Sequence, residues 1–357
     1  MKYVLIALLA AIAAFLLAPL LLHERPLPPA HAGSLEARFP MQTAAFRQPA
    51  AEDLRWHEKR GHAFSLKDRD ESDPTGDPLW QRILAGRPKP RPFPGGCLDC
   101  HASDGATTAP YWVARAHLDR PIGCPDCHDP QTAVLRLTRP GLPPASSTQE
   151  MRTLVCAQCH RDYYLDPSTR FPTGRTVEEI EAFFEASGFR DWEHAETGAA
   201  VLLARHPQFE MHSQGVHGRS GVACADCHMP FQRQGALRIT DHNARSPFEG
   251  LERACLPCHR STPQEMKARI VAIQQRTDAL LARAQIALVA LLDDIHAAGA
   301  APPAVLALQT KAQWRVTFVA ADKSRGFHAP QEAARILAEA IDYARQGQLA
   351  IARARTR

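Results

Sequence analysis

Hydrophobic positions are distributed unevenly along the chain. Residues Tyr3 to Leu22 are apolar except for Pro19, with Lys2 ahead of them. From Gly33 to about Gly96, prolines, glycines and charge clusters interrupt every period, and RPKPRPFPGG (87–96) reads as irregular chain. Little between Cys97 and Arg260 reads as strand. Beyond residue 260 a helical period sets in. Thr262-Pro263-Gln264-Glu265 combines an N-cap, a proline at the first helical position and a capping-box glutamate. Met266, Ile270, Ile273, Leu280, Ala284, Leu288, Leu291 and Ile295 follow at three-to-four spacing, which predicts an amphipathic helix to about His296. Gly299 and Pro302-Pro303 break it. A second helix is predicted through about Asp322, and a third from near Pro330 to the basic terminus. The pattern predicts a mainly α fold with little sheet and long C-terminal helices. It divides the chain into 1–32, 33–260 and 261–357.

Composition then narrows the chemistry. The 357 residues are 45% hydrophobic and 22% charged, which suits one large domain or two ordinary ones and excludes a disordered chain. Lys+Arg 42 against Asp+Glu 38 leaves a formal +4, too weak a bias for a nucleic-acid partner. Ten cysteines and 17 histidines are the unusual entries. Every cysteine falls in a Cys-x-x-Cys-His unit: CLDCH (97–101), CPDCH (124–128), CAQCH (156–160), CADCH (224–228) and CLPCH (255–259). A disulfide framework gives no reason for a histidine after every second cysteine, and zinc sites assembled pairwise leave an odd motif over.

The pentapeptide is the attachment unit of haem c. Cys97 and Cys100, Cys124 and Cys127, Cys156 and Cys159, Cys224 and Cys227, and Cys255 and Cys258 supply the thioethers. His101, His128, His160, His228 and His259 supply the proximal nitrogens to iron. The region 33–260 is therefore read as a multihaem cytochrome c core of five covalent haems. Porphyrin packed against short helices and loops explains how 7% aromatic residues suffice. Covalent attachment needs an exported compartment. The segment 1–32 fits either a cleaved signal ending at Ala30-His31-Ala32 or a membrane anchor, so a periplasmic location is expected.

These motifs, together with RGHAF (60–64), IGCPDCHD (122–129), CAQCHRDYY (156–164), RHPQFE (205–210), VHG (216–218), CADCHMP (224–230), TDH (240–242) and FHAPQE (327–332), occur in a fixed order. From about Arg60 to the C-terminus the chain resembles the pentahaem ammonia-forming cytochrome c nitrite reductases of the cytochrome c552 type. The resemblance implies distal ligands: His242 for the second haem, His62 for the third, His328 for the fourth and His217 for the fifth. It allots none to the haem of Cys97 and Cys100, whose iron would be open to a small anion. It implies His206 and Tyr163 as catalytic donors at that face. It also implies a homodimer formed through the C-terminal helices.

Three positions depart from the family pattern. The first haem has His101 where many members have a proximal lysine. Arg205 stands where the family's calcium site has a glutamine, and Asp162 where it has a glutamate. An Arg205 guanidinium paired with Asp162 would put fixed charge where the metal sits, so calcium is expected to be absent. The family's active-site arginine aligns with Pro74, which leaves Arg69 as the candidate for that role and Arg82 as a second. The resemblance implies six-electron reduction of nitrite to ammonium, fed by a quinol dehydrogenase or cytochrome c partner. The alternatives are a reductase of hydroxylamine, nitric oxide or sulfite, and an electron-transfer cytochrome without turnover.

Overall fold

In the computed structural model of the chain, residues 34–49, 51–53, 58–67, 77–88, 100–103, 121–139, 141–162 and 175–356 are described. The apolar run Tyr3 to Leu22 lies outside them, as do Arg69, Cys97 and Tyr163. Among the described residues no helix is long and apolar enough to cross a membrane.

Short elements lead in. Helices α1 (Leu35–Arg38) and α2 (Pro40–Phe46) precede an antiparallel pair, β1 (Ala51–Asp53) and β2 (Glu58–Arg60). A 3-10 turn, His62–Lys67, follows directly. Helix α3 (Pro78–Ile83) starts where Asp77 Oδ1 accepts the Leu79 N–H at 2.9 Å. The middle of the chain holds α4 (Thr148–Ala157) and α5 (Val177–Ser187), each with a Ser or Thr N-cap. A two-residue pair, β3 (Trp192–Glu193) with β4 (Ala200–Val201), leads into α6 (Gln208–Gln214), α7 (Val216–Arg219) and α8 (Cys224–His228). A hairpin, β5 (Phe231–Gln234) with β6 (Leu237–Thr240), and helix α9 (Leu251–Ala254) complete this part. The fold is mainly helical, as the pattern predicts.

Three long helices follow at the expected places. Helix α10 (Pro263–Ala298) has 36 residues and is about 54 Å long. Its Thr262 N-cap and Glu265 form the expected capping box, and left-handed Gly299 (φ 72°) ends it. Helices α11 (Pro303–Ala321) and α12 (Pro330–Arg355) pack along each other and on α10.

The second of these helices is not amphipathic. Gln313, Trp314, Arg315, Val316, Thr317, Phe318 and Val319 are consecutive and all buried, so the C-terminal part of α11 is enclosed on every side. Its polar groups therefore need partners inside. Gln313 accepts the N–H of Leu202 and donates to the same residue's carbonyl, Thr310 donates to the Ala200 carbonyl, and Trp314 donates to the Val177 carbonyl. Arg315, 1% exposed, meets Glu181 on α5 and Glu339 on α12.

The main core crosses the boundary at residue 260. Ile83 and Leu84 of the α3 segment, Val177, Ile180 and Phe184 of α5, and Leu202 to Ala204 join Leu288, Leu291, Ile336 and Leu337 in one cluster. The end of the cysteine motifs is a chemical boundary, while the packing is continuous across it.

Arg315→Met should cost about 3–5 kcal/mol, because it strands the Glu181 carboxylate in the interior. Arg315→Met with Glu181→Leu should recover much of that loss. Denaturant midpoints of the two variants followed by helical circular dichroism check both.

Candidate haem sites

A helical turn inside each of the four fully described motifs places its two thiols and its histidine on one side. The N–H groups of His128, His160 and His259 return to the carbonyls of Cys124, Cys156 and Cys255, and CADCH forms α8. Positions i, i+3 and i+4 then face the same way. The aspartate before the second cysteine caps two of these turns. Asp126 Oδ2 accepts the Gly123 N–H at 2.9 Å, and Asp226 Oδ2 accepts the Ala223 N–H at 2.8 Å.

Hydrogen bonds on the inner ring nitrogen fix the orientation of the imidazoles. Nδ1 of His101 donates to the Ser65 carbonyl at 2.9 Å, of His128 to Ala133 at 2.7 Å, of His228 to Arg245 at 2.9 Å and of His242 to Thr240 at 2.8 Å. A carbonyl only accepts, so the proton lies on Nδ1 and Nε2 keeps its lone pair for a metal. Ala133 adopts a left-handed φ of 62°, unusual for a residue with a Cβ, and holds its carbonyl against His128.

The described residues bring distant histidines face to face. Ring centroids of His62 and His160 are 6.0 Å apart, of His128 and His242 6.2 Å, of His217 and His259 6.0 Å, and of His228 and His328 6.3 Å. Two imidazoles ligating one metal ion would have centroids about 6.3 Å apart, from metal–nitrogen bonds of about 2.0 Å and the ring radii. The pairs would suit a haem iron in residue type and spacing, and in His128–His242 and His228–His328 the tautomer suits it as well. Separation alone is not selective, since His160–His206 at 6.4 Å and His212–His328 at 6.0 Å are similar.

The electrostatics suit neutral ligands. His160 keeps exposed ring surface within a densely enclosed part of the chain, as a residue lining a deep crevice would. That enclosure pushes its pKa down to about 3, helped by the neighbouring rings of His62, His206, His228 and His101. Burial also pushes His217, His228 and His242 down. His328 moves the other way: burial opposes its charge, but Asp322 beside it outweighs burial.

The third motif lies between the others. The Cys159 thiol lies beside Cys100 of the first motif, and the Cys156 thiol beside Cys224 of the fourth. Arg139 ties the first and second motifs. It pairs with Asp126 at 2.6 Å, both side chains nearly inaccessible, and donates to the Ala102 carbonyl at 2.9 Å.

His206 follows directly on a buried polar cluster. The Arg205 N–H donates to Asp162 Oδ1 at 2.8 Å. The Arg205 guanidinium, however, reaches Asp191 at 2.7 Å and the Leu203 carbonyl at 2.7 Å. The expected side-chain pairing of Arg205 with Asp162 is thus replaced by a main-chain bond, because Asp191 on the approach to β3 takes the charge. Burial pushes Asp162 up to about 7, with Arg205 acting to lower it and Asp191 to raise it. Its neighbour Glu210, which accepts the Asp162 N–H, is also raised by burial. Among the described residues no group of three or more His, Cys, Asp or Glu side chains could hold a metal ion. Arg82 pairs with Glu196 at 2.8 Å and with Asp293 of α10 at 3.0 Å, which occupies it away from the histidine pairs.

Several of these residues carry no signal in the sequence. Ser65, Asp322 and Arg139 act through partners 36, 6 and 13 residues away. Only the aspartates inside CPDCH and CADCH could have been read, as capping residues.

A family model described as cytochrome c552 matches residues 51–357. Cytochrome c-552 of Bacteroides thetaiotaomicron is 35% identical over 327 residues, which cover 82% of this chain and 65% of that protein. Cytochrome c-552 of Aliarcobacter butzleri is 32% identical over 335 residues, covering 82% and 66%. The chain therefore spans slightly less than two thirds of the length of these relatives. Among solved structures, the catalytic subunit of cytochrome c nitrite reductase from Desulfovibrio desulfuricans, described with two calcium sites, is similar at a TM-score of 0.66 and 25% identity. The match covers 89% of this chain and 85% of that one.

The histidine pairs depend on a close backbone approach at Gly215, where a Cβ would fall on the carbonyl oxygen of His328. Gly215→Ala should destabilise the protein by about 1–3 kcal/mol. Gly123→Ala, whose Cβ would meet nothing closer than Pro125 at 3.6 Å, should be near neutral; paired denaturant midpoints check the difference.

Proposed function

The chain belongs to the cytochrome c552 family, and we propose from that premise that it is a periplasmic, ammonia-forming nitrite reductase carrying five covalent haems. The observation that carries the reading is the set of four long-range histidine pairs, His62–His160, His128–His242, His217–His259 and His228–His328. Each pair would hold one haem iron, and the resemblance allots no distal histidine to the haem of Cys97 and Cys100. Similarity to a solved cytochrome c nitrite reductase supports the same conclusion.

The overall reaction takes nitrite, six electrons and eight protons to ammonium and two waters. The haems supply electron storage and a Lewis-acidic iron, while the chain supplies ligands, protons and charge. Among the proximal histidines, His101, His128 and His228 each offer an unprotonated Nε2, held by the hydrogen bond on Nδ1. His206 and Tyr163 are the proposed proton donors to the departing oxygens. Arg69 is the proposed source of positive charge for the anion. The placement of the third motif beside the first and the fourth supports an electron route that converges on the first haem. A quinol dehydrogenase or cytochrome c is the proposed electron donor. Ile286 on α10 and Leu349 on α12, both more than half exposed, favour a homodimer through these helices.

Calcium independence is part of the proposal, in a revised form. The Arg205 guanidinium is balanced by Asp191 within one ion pair. Asp162, pushed by burial up to about 7, is held less acidic than an ordinary carboxylate and so is a poorer ligand for a hard cation.

Anaerobic assay of the purified holoprotein with reduced viologen and nitrite should yield ammonium as the product. Five low-spin haems and no ammonium would instead indicate an electron carrier. His206→Gln should lower turnover by about 10²–10⁴-fold and leave the low-spin haem spectra unchanged; full activity would remove His206 from the mechanism. Exhaustive chelation should leave turnover undiminished, and a loss rescued specifically by calcium would overturn the calcium reading.

A further inference from the structure

The anchored histidines of this protein share one arrangement, with one exception. His101, His128, His228 and His242 each direct Nδ1 to a main-chain carbonyl. His328 directs Nδ1 to a carboxylate, Asp322 Oδ1, at 2.7 Å. The Asp322 side chain is inaccessible to solvent. Its second oxygen accepts the Ser324 hydroxyl at 2.6 Å, and Ser324 Oγ in turn accepts the His328 N–H at 3.0 Å. The ion pairs of the described residues give Asp322 no lysine or arginine. A buried negative charge is therefore opposed by one hydroxyl and one imidazole.

The backbone holds this arrangement rigidly. Asp322 caps the end of α11, and His328 lies two residues before the start of α12. Arg325 (φ 56°) and Gly326 (φ 82°) are both left-handed and fold the loop between them back on itself. Arg325 and Ala133 are the only non-glycine residues with positive φ among the described residues, and both turn the chain beside a histidine's Nδ1 partner.

We propose that Asp322 is a positioning residue that sets the redox behaviour of the haem attached at Cys224 and Cys227. It draws the Nδ1 proton of His328 toward the carboxylate and so gives the ring partial imidazolate character. This inference rests on the proposed role of His328 as that haem's distal ligand. A more basic ligand favours the ferric over the ferrous iron, so this haem is held at a lower potential than a carbonyl partner would set. Electrons arriving from the fifth motif are then passed on toward the third rather than retained.

Asp322→Asn removes the charge and keeps the shape and an acceptor oxygen. Potentiometric titration of the holoprotein, followed by optical and low-temperature electron paramagnetic resonance spectra, should show one midpoint rising by about 59 mV, a tenfold change in that haem's reduction equilibrium. The g-values of the same low-spin haem should change, and the other midpoints should move much less. Unmoved midpoints, or a uniform shift without a change in g-values, would overturn the inference. If Asp322→Asn yields no holoprotein, Ser324→Ala carries the test. It removes the competing donor and should lower the same midpoint, and an unmoved midpoint again overturns the inference. His328→Ala examines the underlying assignment separately. Loss of one low-spin signal there, together with unmoved midpoints in Asp322→Asn, would reject the role of Asp322 alone. Retention of every low-spin signal would reject the ligand assignment itself.

Discussion

An iron held between two imidazoles fixes the gap between their ring centres at about 6.3 Å, a tolerance that flexible loops would not keep. In this chain the partners are 98, 114, 42 and 100 residues apart in sequence, and all four distal candidates lie outside any long helix. The scaffold meets that constraint with local devices. A helical turn aims each motif, a hydrogen bond on Nδ1 orients the anchored rings, and close backbone approaches such as Gly215 on His328 bring the carriers together. The long helices then hold the ends of these segments in place. Helix α11 is enclosed for this purpose, with Gln313 and Thr310 gripping the chain at Ala200 and Leu202, just before His206.

Features governed by local chemistry were legible in the sequence. The Thr262–Glu265 capping box and the stop at Gly299 depend on residues within a few positions of each other. The opposing histidines were not legible from pattern. A distal histidine such as His62 or His242 has no local signature, and only the resemblance paired each with its motif. Burial of α11 was hidden for a related reason. Its polar residues Gln313, Arg315 and Thr317 give no local sign of burial, and each has an internal partner 100 or more residues away, on α5 or at Leu202. Arg205 shows the same limit at the candidate active site. Position suggested Asp162 as its partner, but Asp191, 14 residues away, receives the guanidinium.

The polar interior is concentrated where motifs meet. The Arg139–Asp126 pair, with the Ala102 carbonyl, bridges the first two motifs, and Arg315 with Glu181 and Glu339 bridges α5, α11 and α12. Buried ion pairs of this kind add little net stability, but breaking one is costly, so they favour a single arrangement over near alternatives. A protein that must align rings to tenths of an ångström benefits from that selectivity. The apolar cluster beneath supplies cohesion without such directionality.

The thiol contacts also define a branched graph rather than a line. Cys159 meets Cys100, Cys156 meets Cys224, Cys127 lies within the field of Cys159, and Cys227 within that of Cys255. The third motif is the branch point of this graph, joined to the first, second and fourth. Damage at the second or fifth motif trims a branch and leaves the remainder joined, and damage at the fourth cuts off the fifth alone. Damage at the third parts the first and second motifs from the fourth and fifth, so the heaviest consequence of a single lesion falls at Cys156, Cys159 and His160.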